Sequence, residues 1–125
     1  MLHIVPYYAA TLALLYVWLS FRVIQVRRRA KQAIGSGGVP GLERRMHVHA
    51  NFAEYAPFAL VLLTMAELRG AWGPSLHGLC LLLVAGRCAQ AWGGSRTPED
   101  FRFRVGGMMA TFAVLICAAL LILVT

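Results

Sequence analysis

Four long apolar runs, separated by short polar breaks, constrain this chain more than any other feature. The first extends from Ile4 to about Val26. The second begins near Glu43 and reaches about Leu68, polar in its first half and apolar from Phe58 to Ala66. The third covers Leu76 to Trp92, and the fourth Val105 to Val124. A helix crosses a bilayer with roughly 20 mostly apolar residues. Only helices and closed barrels satisfy their own backbone in lipid. Four such helices account for nearly all of the 125 residues. Residues 1–125 therefore read as a single all-α integral membrane domain, a bundle of four transmembrane helices. Composition agrees: 59% of residues are hydrophobic and 14% charged, against about 45–50% and 25% in soluble domains. The chain opens on Met1-Leu2-His3 without a basic segment, and no small-residue cleavage site follows the first run. That run is expected to be retained as a span.

The breaks are marked by residues that a helix cannot pass cheaply. Gly35-Ser36-Gly37-Gly38 and Pro40-Gly41 lie in the first, Gly70 to Pro74 in the second, and Gly93-Gly94-Ser95 with Pro98 in the third. Pro57, inside the second run, predicts a kink. The net charge of +7 is unevenly placed. Arg27, Arg28, Arg29, Lys31, Arg44 and Arg45 flank or fill the first loop, and Arg96, Arg102 and Arg104 the third. The second loop has only Arg69. The positive-inside bias puts loops one and three in the cytoplasm and both termini on the other side. With no soluble module to present it, this charge does not read as a nucleic-acid surface. Cys80, Cys88 and Cys117 sit in apolar runs at spacings that match no zinc pattern, so they read as small buried hydrophobes and no metal site is expected.

Helix 2 carries the chemistry. Arg44, His47, Asn51, Glu54 and Phe58 follow one another at steps of 3, 4, 3 and 4, which puts them on one helical face, with Tyr55 at its edge. A carboxylate and an amide inside a span must face the bundle interior or a wet cavity, where ionisable residues are functional candidates. Their bland role is to tie helices together. Arg87, near the end of helix 3, lies at a depth that permits a pair with Glu54; alternatively it snorkels to the interface. Arg104 stands at the start of helix 4, where free backbone N–H groups favour anions; its bland role is flanking charge. His47 and His49, two apart, point to different sides of the helix, against a shared metal.

The stretch Glu43-Arg44-Arg45-Met46-His47-Val48-His49-Ala50-Asn51-Phe52-Ala53-Glu54-Tyr55-Ala56-Pro57 resembles the helix-2 signature of the MAPEG superfamily, membrane-associated proteins in eicosanoid and glutathione metabolism. Gly86-Arg87-Cys88-Ala89-Gln90-Ala91-Trp92-Gly93 resembles its helix-3 motif, and Phe103-Arg104-Val105-Gly106 the start of its helix 4. The likeness covers nearly the whole chain and is strongest to the short bacterial members. It implies a bacterial inner-membrane location and a homotrimer with termini on the non-cytosolic side.

The resemblance further implies glutathione as cosubstrate, held between subunits by Asn51, Glu54 and Tyr55, with Arg44, His47 and Arg87 nearby and Arg27 or a neighbour closing the site. It assigns Arg104 the catalytic role of stabilising the thiolate. A free thiol has a pKa near 8.5, so lowering it by about two units takes roughly 2.7 kcal/mol. The expected function is that of a glutathione-dependent transferase or peroxidase acting on lipophilic electrophiles in the bilayer. The alternative is a non-catalytic lipid-binding or scaffold protein of the same fold. Two departures stand out: His47 replaces a frequent arginine, and Gln90 and Gly94 stand where the eicosanoid synthases have larger side chains. A small drug exporter of similar length is disfavoured, because such exporters place their key glutamate in helix 1 and this helix 1 has no acidic residue.

Overall fold

In a computed structural model, which describes residues 2–35, 37–38, 42–95 and 101–125, the chain forms four helices: α1 (Val5–Ala30), α2 (Leu42–Leu68), α3 (Gly73–Ser95) and α4 (Phe101–Val124). At about 1.5 Å per residue each is about 35–40 Å long, enough for a hydrocarbon core of about 30 Å. By length and apolarity, α1 and most of α4 qualify as spans. The other two carry polar groups within their length: Arg44, Arg45, His47, His49, Asn51 and Glu54 in α2, Arg87 and Gln90 in α3. Within α1, the Thr11 and Ser20 hydroxyls donate back to the carbonyls of Tyr7 and Tyr16, so their polarity is absorbed by the helix itself.

Contacts at the helix ends fix an up-down-up-down order. Arg27, at the end of α1, donates to the Met46 sulfur near the start of α2. Glu67, at the end of α2, returns to the start of α1. Tyr8 of α1 meets His77 in the first turns of α3 at 2.9 Å. Arg104 of α4 reaches His47 of α2. Arg27, Arg28, Arg29, Arg44, Arg45, Arg102 and Arg104 therefore gather at one end of the bundle, with Arg69 at the other. The arginine and acidic positions of the third loop (Arg96, Glu99 and Asp100) and Pro98 lie outside the described residues.

Leu12 and Leu19 of α1, Val48, Phe52, Ala56 and Leu63 of α2, Cys80 and Leu83 of α3, and Val114 and Ala118 of α4 form one core. Cys80 is the buried cysteine; Cys88 and Cys117 face outward, contrary to the expectation for all three. On an apolar span an outward thiol meets lipid, so apolarity alone does not distinguish core from surface. Helix α2 continues through Pro57.

The closest packing joins α3 to α4. A Cβ added at Gly86 would lie 2.8 Å from the Ala110 Cβ, and one at Gly107 would run into the Gly86 carbonyl and the Gln90 backbone. Small residues let backbones approach, which is how helices gain contact where lipid competes for apolar side chains. Helix α2 ends in a Schellman turn: Gly70, at φ 84°, donates to the Glu67 carbonyl, and Ala71 to that of Ala66. Helices α3 and α4 both begin earlier than the apolar runs. Pro74 fits the first turn of α3, where it removes no needed donor. Arg102 and Arg104 are thereby inside the first turn of α4.

Candidate functional site

At the centre of the polar region is Arg87. It is completely buried, yet among the described residues it meets no carboxylate. One terminal nitrogen (Nη1) donates to the Asn51 side-chain oxygen at 2.7 Å and to the Asn51 carbonyl at 3.3 Å. The other (Nη2) donates to the Met108 sulfur at 3.2 Å. Its Nε finds no partner. A guanidinium offers five N–H donors; here one amide oxygen, one carbonyl and one soft thioether receive them. Arg87 thus links α3 to α2 and α4, and no carboxylate among the described residues neutralises its charge.

The α2 stripe surrounds this cation unevenly. Asn51 is half-buried because it turns toward Arg87. Glu54, three residues on and about 60° around the helix from Asn51, is exposed and makes no hydrogen bond with a described residue. The expected pair between Glu54 and Arg87 is therefore not formed: Asn51 occupies the arginine, and the helical phase turns Glu54 outward. Tyr55 is half-buried, edge-on to Phe112 of α4 with ring centroids 5.6 Å apart. Phe58, Val61, Met65 and Leu68 continue the exposed face beyond Glu54.

Nearer the basic end, Arg104 and His47 meet at 3.1 Å. The guanidinium can only donate, so the Nε2 of a neutral His47 accepts. An arginine at position 47 would instead repel Arg104, so the histidine is compatible with holding that guanidinium close to α2. Arg44 stands one turn earlier on the same stripe, half-buried. Arg27 stands apart. It donates to the carbonyls of Gln32 at 3.2 Å and Gly35 at 2.8 Å, organising the loop after α1. Of the candidate residues, the structure brings Asn51 to Arg87 and His47 to Arg104, with Arg44, Glu54 and Tyr55 along the same stretch of α2.

Three arrangements had no counterpart in the sequence reading. Met108 enters the site as a sulfur acceptor, a role no spacing marks. His49 joins α1, where its Nε2 lies 2.9 Å from the Ser20 hydroxyl and its ring stacks on Tyr16 at 4.9 Å. Glu67, 9% exposed, accepts from the backbone N–H groups of His3, Ile4 and Val5 at 2.9, 2.7 and 3.0 Å. A carboxylate there satisfies orphan donors and complements the helix dipole. An acid at the end of an otherwise apolar helical half was the available signal. An apolar groove of about 260 Å³ between α1 and α2, floored by Ala9, Ala13, Ala53 and Ala56, opens on the opposite side of α2 from the polar stripe.

A family model described as the MAPEG family matches residues 5–124. The chain is 36% identical over 113 residues to "Inner membrane protein YecN" of Escherichia coli strain K12, an alignment that covers 90% of this chain and 85% of that protein. The same figures hold for the protein of that name from Escherichia coli O6:H1.

Proposed function

This chain belongs to the MAPEG family, and we propose that it binds glutathione at the α2 stripe and delivers its thiolate to lipophilic electrophiles, as a membrane transferase or peroxidase. The observation that carries this reading is Arg87: a fully buried cation which, among the described residues, has no partner for its Nε and no carboxylate beside it. Such a charge is costly, and an anionic, hydrogen-bonding ligand relieves that cost. Glutathione supplies two carboxylates and two amides. Asn51 and Arg87 offer donors, Glu54 accepts from the ligand's ammonium group, and Tyr55 closes one side. Arg104, which His47 holds beside α2, stabilises the thiolate. The exposed apolar residues Phe58, Val61 and Met65 offer a bilayer-facing approach for an electrophile.

An exposed Glu54 in the middle of a helix is expensive against lipid. A homotrimer in which a neighbouring copy covers Glu54, leaving Phe58, Val61 and Met65 open to the bilayer, removes that cost and completes the site. The complex in detergent should then have three times the mass of one chain; a monomer would sink the shared-site reading.

The test is a glutathione titration of purified protein, followed by calorimetry and by thiolate absorbance. Binding together with thiolate formation near neutral pH is expected. Arg104→Ala should lower turnover about 10²- to 10³-fold, the range for removal of one preorganised donor to a developing anion, with a smaller loss of binding. Binding without thiolate absorbance selects the non-catalytic alternative, and no binding overturns the reading.

A further inference from the structure

The outer face of α1 changes character along its length. Tyr7, Leu14, Trp18 and Phe21 are exposed along one stripe. The same stripe continues through Gln25, Arg28 and Arg29, also exposed, with Arg22 beside it. Trp18, Phe21, Arg22, Gln25, Arg28 and Arg29 border an open cleft of about 530 Å³. The Arg22 guanidinium lies over the Trp18 ring, 4.9 Å from its centroid.

That stacking is informative because of its direction. Helical side chains lean toward the helix N-terminus, which for α1 is away from the basic end. Arg22 is therefore folded toward the apolar part of the span, at the level of an interfacial tryptophan, rather than stretched toward water. Arg45 of α2 donates to the Arg22 carbonyl at 3.0 Å, adding a further cation beside that turn. No acidic residue occurs anywhere in α1. We infer that this cleft is a binding site for an anionic phospholipid of the leaflet at the basic end. Its phosphate sits among Arg22, Arg28 and Arg29, and Gln25 donates to the headgroup. An acyl chain runs along Phe21, Trp18 and Leu14. A basic cleft continuous with an apolar stripe matches both halves of that molecule, whereas a free phosphate uses only the first.

The site is separate from the glutathione stripe and does not depend on it. A test uses the protein with Trp72→Phe and Trp92→Phe, so that Trp18 is the sole indole, in vesicles of phosphatidylcholine. Phosphatidylglycerol brominated on its acyl chains should quench Trp18 more strongly than the same mole fraction of brominated phosphatidylcholine. Each basic group near an anionic surface contributes roughly fivefold in affinity. Arg28→Gln with Arg29→Gln should therefore lower the preference by at least an order of magnitude, whereas Lys31→Gln, off the stripe, should leave it. Both arginines are exposed, so helical content by circular dichroism should be unchanged in the variant. Equal quenching by the two lipids would overturn the proposal, and so would an equal loss of preference on Lys31→Gln. Preference abolished by inorganic phosphate would also overturn it, since the site would then be one for a free anion.

Discussion

Arg87 owes its effect to what it lacks. A buried charge with no opposite charge among the described residues is costly to keep desolvated, and an apolar side chain of similar size removes that cost. Arg87→Met is therefore expected to leave the melting temperature of the ligand-free protein unchanged or raised. It should also remove the stabilisation that glutathione confers. Thermal unfolding in detergent with and without glutathione reads both effects; a large loss of stability in the ligand-free variant would mean that the Asn51 and Met108 contacts already compensate the charge. The sequence made the α2 stripe visible because its period is that of a helix. It could not select between Asn51 and Glu54 as the partner of Arg87, because residues three apart share both a helical face and a depth, and only tertiary packing separates the half-buried amide from the exposed carboxylate. Arg27 was legible as the end of α1 but not as the residue that gathers the Gln32 and Gly35 carbonyls, since loop geometry has no period to read.

Among the elements, α3 and α4 depend most on a single crossing. Gly107→Val forces side-chain atoms into the Gly86 carbonyl and the Gln90 backbone, where no flexible side chain can yield. Overpacking of this kind costs about 1–3 kcal/mol. Because Arg87 and Met108 flank the crossing, Gly107→Val should lower glutathione affinity along with the melting temperature. Gly106→Ala is the matched control, because nothing lies within 4 Å of a Cβ there. Equal effects of the two changes would show that the crossing is not tight. The existence and order of all four helices and the starts of α1 and α2 were readable from the sequence, but the starts of α3 and α4 were not. Hydropathy marks where the oily part begins, whereas helix α4 begins at Phe101, four residues before the oil, with its arginines already helical.

For the whole molecule, the segregation of basic groups to one end predicts how it sits in the membrane. A reporter fused after Thr125 should read as non-cytoplasmic, and one placed in the first loop as cytoplasmic; the reverse result would discard the charge-based orientation. The other end is fastened differently. Glu67 grips the start of α1 through three main-chain N–H groups, and a main-chain donor is present in every residue except proline. The identities at positions 3 and 4 are therefore free to drift under mutation as far as this clasp is concerned, while Val5 is held by its burial in the core and position 67 by the clasp. In a saturation library scored for survival of folded protein, positions 3 and 4 should accept nearly any residue but proline, position 5 only apolar ones because Val5 is also buried in the core, and Glu67 almost none. One carboxylate late in the second helix thus carries the heritable constraint for the beginning of the chain.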